Sequence, residues 1–237
     1  MINKEVRCQT YKHTNTFMNK ISISPEIKEK CPDLVLGCFS CDLTWAANSE
    51  ALNEAIQNTC IKLAETLTRP EISQIDTIAS SRIAYKALGK DPSRYRLSAE
   101  ALLRRVVTGK GLYQINTIVD TLNLISIETG YSIGGYDLDK IQGDIVLGIG
   151  AKDEPYEGIG KGRLNIENLP LFRDENGAFG TPTSDSTRTM VTENTKSFLM
   201  VFLNFGNHDS LEKVLAETSA LYQQFTNAAH CQTLIID

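Results

Sequence analysis

At Gly130 the hydrophobic pattern of this chain changes period, and that change limits what it can fold into. Before it, apolar residues recur every three to four positions. Leu52, Ile56, Thr59, Leu63 and Leu67 predict an amphipathic helix over residues 49 to 68. A second helix is expected after Arg69-Pro70, with Ile72, Ile75, Ala79 and Ile83 facing inward and Gly89 ending it. Ser98 caps a third, whose stripe runs through Ala99, Leu102, Leu103, Val106 and Val107 to a stop at Gly109. Residues 116 to 129 form a fourth, closed by Gly130. Beyond Gly130, β-branched runs alternate with Gly-rich connections: 144–147, 189–192 and 198–202 read as strands, and Asn176-Gly177 marks a hairpin turn. A short helix at Ser24-Pro25-Glu26 and a buried strand at 34–39 precede all of this. A last helix, opened by Asp209 with Glu212 three residues on, and a strand at 233–236 complete the chain. Helices crowd the first half and strands the second. The class is therefore α+β, with mostly antiparallel strands, rather than a regularly alternating α/β fold.

A chain of 237 residues suits one large domain. Residues 1–20 are polar and aperiodic and read as a flexible N-terminal extension, leaving 21–237 as the domain. The net charge of −5 excludes a protein held on nucleic acid by its whole surface, so such contact must be local. No apolar run approaches a membrane span and the start lacks a signal sequence's hydrophobic stretch, so the expectation is a cytoplasmic protein with no membrane contact. Six cysteines scattered through apolar runs read as reduced and buried. Cys38-x-x-Cys41 has no second ligand pair nearby, and on a strand the two thiols point to opposite faces, so no metal is expected. Gly158-x-Gly160-x-Gly162 lacks the strand, helix and spacing of a dinucleotide loop and reads as a flexible connection, with no cofactor implied. His13, His208 and His230 fall in no nucleophile or metal motif.

Two stretches carry more chemistry. Residues 82 to 110 hold eight basic residues against two acidic ones, and Arg82, Lys86 and Lys90 share one helical face, with Arg94 and Arg96 close behind. This is either a phosphate-tracking surface or a solvated face with acidic partners from elsewhere. In the helix at 116–129, Asn116, Asp120 and Asn123 fall at i, i+4 and i+7 among apolar neighbours, so these polar groups need partners, from the backbone or from a ligand. Glu128, Asp137 and the run from Thr183 through Asp185, Ser186, Arg188 and Thr189 supply more of the same mixture, which suits a zwitterion or an ester.

The runs Ile115–Asn123, Glu128-Thr129-Gly130, Tyr136–Ile141 and Gly143-Asp144-Ile145 resemble the B3/B4 domain of the phenylalanyl-tRNA synthetase beta subunit, and Lys86–Arg96, Ser98–Leu102 and Ser184–Thr189 resemble its free-standing relatives. The resemblance covers about residues 20 to 235 and implies the fold of that domain. In the synthetase the domain removes tyrosine wrongly esterified to the phenylalanine tRNA, so the resemblance implies a trans-acting aminoacyl-tRNA deacylase or a tRNA-binding protein. Where the synthetase domain has Leu-His-Ala-Phe-Asp, this chain has Ile133-Gly134-Gly135-Tyr136-Asp137, with Gly134 at the editing histidine's position; Val201 and Phe202 stand near the place of its glutamate. Gly134-Gly135 is expected to widen the pocket. The candidate catalytic residues are Asp137, Asp185 and Ser186. Asn116, Asp120, Asn123, Glu128, Gly134, Gly135, Arg188 and Thr189 are candidates for substrate binding, and Arg82, Lys86, Lys90, Arg94 and Arg96 for nucleic acid. The alternative is a non-catalytic module for an amino acid or RNA end, or a structural protein with an unused pocket.

Overall fold

A computed structural model describes residues 21–206 and 211–237. Its centre is an antiparallel sheet of order β10-β2-β9-β3, built from β2 (Val35–Asp42), β3 (Ile133–Asp137), β9 (Ser197–Asn204) and β10 (Ala229–Ile236). All of β9 after Ser197 is buried, because both faces of this sheet are covered. Even-numbered Phe198, Met200 and Phe202 meet α5 (Thr117–Thr129) and α6 (Leu211–Thr226). Odd-numbered Leu199, Val201 and Leu203 meet a second sheet of order β1-β4-β7-β8. That sheet comprises β1 (Ile21–Ile23), β4 (Ile145–Ile149), β7 (Pro170–Asp174) and β8 (Gly177–Gly180), and only its β1–β4 pair is parallel. The strand period of two thus sorts side chains between two cores. It also parts Cys38, in the core between the sheets, from Cys41, on the helical side. Burial pushes the Cys38 thiol up to about 12 and Cys41 higher still, so both stay protonated, and no metal-holding cluster occurs among the described residues.

Helices α1 (Pro25–Lys30), α2 (Glu50–Thr66), α3 (Asp76–Ala87) and α4 (Ser98–Val106) fill the flank, and β5 (Glu157–Gly158) pairs with β6 (Gly162–Arg163) as a small hairpin. The expected α+β class holds. Three local readings change. The helix expected after Pro70 is broken: Glu71–Gln74 is a 3-10 turn, and Ile75, at ψ 125°, starts a new helix whose inner face is Ile78, Ser81, Ala84 and Tyr85, leaving Ile83 69% exposed. Ser98 is the first residue of α4 rather than its cap, and its N–H donates to Pro182 O. The run at 189–192 pairs with no strand among the described residues: Thr187–Thr189 is a 3-10 turn, and Thr192 and Thr195 close the following loop on each other. The expected extension at 1–20, His13, His208 and Asp209 lie outside the described residues.

The flank is pinned by Glu100, buried on α4 at 1% exposure. Its carboxylate receives Arg82 from α3 at 2.8 Å and Arg104 at 2.9 Å, with Arg96 at 4.0 Å. Deleting a buried charge leaves its partners unpaired, here moderated by the partial exposure of all three arginines. Glu100→Gln should cost about 2–3 kcal/mol in urea unfolding, whereas Lys86→Gln, on an exposed side chain, should change stability by under about 0.5 kcal/mol.

Candidate functional site

A cavity of about 320 Å³ lies where α4 and α5 approach β3. Its floor is open because Gly135, on the helical side of β3, has no side chain: a Cβ there would stand 2.5 Å from Leu122 Cδ1 and 3.3 Å from the Phe198 ring. Val119 and Leu122 of α5, Ile133, Met190 and Phe198 make the walls apolar. Asn123, Ser98 and Ser184 interrupt them with polar groups.

Among the described residues β3 is an edge strand, paired with β9 on one side. Off its free edge runs the segment 181–186, and Asp185 Oδ2 accepts the Gly135 N–H at 3.3 Å, so the carboxyl caps the edge. Its other oxygen, Oδ1, is shut off from solvent and has no hydrogen-bond partner. Burial raises the Asp185 carboxyl to about 7, with the Gly135 N–H and the adjoining Tyr136 phenol pulling the other way. The Tyr136 hydroxyl, likewise buried, adjoins the Asp185 carboxyl. Its ring belongs to the core between the sheets, edge-on to Phe179 at 4.9 Å and Phe172 at 6.2 Å. Gly134 and Gly180 flank the phenol so closely that a Cβ on either would overlap its hydroxyl.

The structure brings three of the sequence candidates together at this cavity: Asn123, Gly135 and Asp185. Gly134 faces the other side of β3, and its missing side chain makes room for Tyr136, so only Gly135 enlarges the pocket. Asn116 caps α5, its Oδ1 accepting Val119 N–H at 3.0 Å. Asp120 accepts Ile115 N–H at 3.0 and 3.2 Å, and burial raises its carboxyl to about 6. Glu128 accepts the Thr59 hydroxyl on the far side of α5. Asp137 is buried, holding Thr195 Oγ1 at 2.8 Å and Asp139 N–H at 3.2 Å. Ser186 and Arg188 turn away from the cavity to line a separate, open hollow of about 750 Å³. There the Arg188 guanidinium is fixed by Asp174 at 2.8 and 3.0 Å and by Gly177 O. Thr189 is fully buried, its hydroxyl unpartnered.

The basic segment is largely committed within the fold. Arg82 and Arg96 attend Glu100, while Lys90 is 7% exposed, donates to the carbonyls of Asn165 and Glu167, and lies 3.8 Å over the Tyr95 ring. Lys86 and Arg94 remain exposed. Sequence reasoning did not single out Tyr136, Gly180 or Lys161, which donates to Thr183 O at 2.9 Å beside the cavity. Nothing in local sequence signals that two glycines far apart in the chain cradle one phenol.

Residues 80–230 match the family model of the B3/4 domain. The chain belongs to the B3/4 domain family. Over 101 residues it is 31% identical to the phenylalanine–tRNA ligase beta subunit of Tropheryma whipplei (strain Twist), a stretch covering 42% of this chain and 10% of that subunit. The matched stretch is thus about a tenth of the relative's length. An N-terminal fragment of the phenylalanyl-tRNA synthetase beta subunit from Pyrococcus horikoshii superimposes with a TM-score of 0.45 at 15% identity, over 92% of this chain and 50% of that one.

Neighbouring glycines on β3 therefore have different tolerances. Gly134→Ala must displace a core tyrosine and should cost about 2 kcal/mol or more, whereas Gly135→Ala meets mainly the mobile end of Leu122 and should cost under about 1 kcal/mol. Thermal unfolding of the two variants side by side checks the difference.

Proposed function

We propose that this B3/4 domain holds the aminoacyl end of an RNA in the cavity, with Asp185 receiving the α-ammonium group. The observation that carries the reading is the charge of the wall. Among the described residues Asp185 is the one ionisable side chain lining the cavity, and no lysine or arginine joins it. A free amino acid would bring its carboxylate into a largely apolar space whose lining carries no opposite charge, the nearby Lys161 ammonium being held on Thr183 O outside it, an arrangement costing several kcal/mol. An aminoacyl ester keeps the ammonium and lacks the carboxylate, so it matches a wall whose one ionisable group is a carboxyl. The apolar walls suit an apolar side chain, and a volume of about 320 Å³ accommodates one aminoacyl group. The kinship with a tRNA ligase subunit supports RNA as the bearer of the ester.

Hydrolysis of that ester is a second reading, favoured by the titration of Asp185 near neutrality, where a general base works best. Its carboxylate would take a proton from water, the hydroxide add to the ester carbon, the bond to the ribose oxygen break, and the proton pass on to that oxygen. Among the described residues the cavity offers one carboxyl and no histidine, and that carboxyl would have to serve both the ammonium and the water, so binding is the leading reading.

Calorimetry with amino acid amides, which keep the ammonium and lack the carboxylate, tests the reading. Affinity should rise as pH climbs toward about 7 and the carboxyl ionises, then fall above about 8 as the probe's own α-amino group loses its proton. Asp185→Asn should lower it at least about tenfold and remove the rising limb. Because the folded carboxyl titrates above its unfolded value, its ionised form costs stability; the penalty grows between about pH 4 and 7 and is complete above. The same variant should therefore melt higher than wild type at pH 8, and the difference should vanish toward pH 4. Release of amino acids from a panel of mischarged tRNAs, abolished by Asp185→Asn, would establish hydrolysis; binding without release would leave the recognition role alone. Equal affinity for free amino acids and their amides would overturn the charge argument.

A further inference from the structure

The cavity opens beside a surface whose residues are not used by the pocket itself. On α4, Ser98 and Leu102 line the cavity, and Arg105 continues the same i, i+4, i+7 stripe. It therefore lies about one turn, roughly 5 Å, beyond the rim. The chain then turns at Gly109 and Gly111, both at positive φ with open space where a Cβ would stand, and comes back past α4. On that return Ile115 lines the cavity while remaining 56% exposed. Two residues earlier, Tyr113 is 58% exposed, with the Arg105 guanidinium 3.7 Å from its ring centroid. Arg105 Nε is shut off from solvent without a hydrogen-bond partner, so the guanidinium is committed to the ring.

We propose that the Tyr113 ring, backed by Arg105, is the platform on which the terminal nucleobase of the RNA stacks when its aminoacyl group lies in the cavity. The proposal rests on the aminoacyl-RNA reading above. Three features of the surface favour a nucleotide over a protein side chain. One face of the ring carries a cation, and the ring as a whole stays largely open to solvent, as a base platform requires. Beyond the platform Lys110 is exposed, whereas Arg104 is paired with Glu100, so a phosphate leaving the ring meets one uncommitted positive charge. The platform also adjoins the rim, and the ribose that bears an aminoacyl group carries its base only a few bonds away.

Two probes separate the platform from the cavity. One is L-leucinamide, which reaches only the cavity; the other is 3′-leucylamino-3′-deoxyadenosine, a non-hydrolysable mimic of the aminoacylated RNA terminus. Wild type should bind the nucleoside conjugate roughly tenfold to a hundredfold more tightly than the amide. Tyr113→Ala should erase that gain while keeping amide affinity within about twofold, and Tyr113→Phe should keep both. Because Tyr113 is exposed, its truncation leaves the fold intact, as an unchanged melting temperature would verify. A gain that survives Tyr113→Ala, or no gain in wild type despite binding of the amide, overturns the platform and spares the cavity. Failure of wild type to bind the amide at all removes the cavity reading and the platform with it.

Discussion

The free edge of β3 is the constraint on which the site depends. An edge strand has unpaired N–H groups that must find partners or be left to aggregate, and here one of them is met by the Asp185 carboxyl instead of another strand. That contact draws the segment 181–186 alongside β3 and shuts one carboxyl oxygen off from water. It also places Asp185 at a boundary, touching the phenol of Tyr136 from the core between the sheets and the cavity on the helical side. The raised carboxyl pKa is the cost of that position, since burial disfavours the charged form more than one N–H and one phenol favour it.

The two glycines of β3 show how the same residue type serves opposite ends. Side chains alternate across a strand, so Gly134 and Gly135 face different cores. Gly134 yields its volume to Tyr136 and Gly135 yields its volume to the cavity. The space a side chain would take at Gly134 is thus filled by a neighbour's ring on the core side. The buried glycine–phenol–glycine arrangement is a packing solution in which one aromatic side chain does the filling of three positions.

Much of the fold could be read along the chain because its signals are local. Pro25 at a helix start, Gly130 as a left-handed cap and Asn176-Gly177 at a hairpin each dictate backbone geometry within a few residues. The break at Ile75 was hidden because the apolar spacing of Ile72, Ile75 and Ala79 continues through it, and periodicity does not report a single residue leaving the helical region. The site was legible only in part. Asn123, Gly135 and Asp185 were among the candidates, but so were Asn116 and Asp120, whose polarity is spent on capping and on holding the chain ahead of α5. Local sequence cannot separate a polar group that serves the backbone from one that serves a void. The basic run poses the same ambiguity: its charge is real, and Glu100, a single buried carboxylate, takes up three of its arginines.

Asp185 and Ser186 are consecutive residues facing different voids, the cavity on one side and the wider hollow beside Arg188 on the other. The partition between those spaces is therefore one strand of backbone thick. It is held by the Ile159 N–H on the Asp185 carbonyl and by the Ser186 N–H on the Phe179 carbonyl. A shift of the carboxyl toward an occupant on one side is carried by the same peptide to the hydroxyl on the other, so the two hollows share a common wall and cannot be reshaped independently.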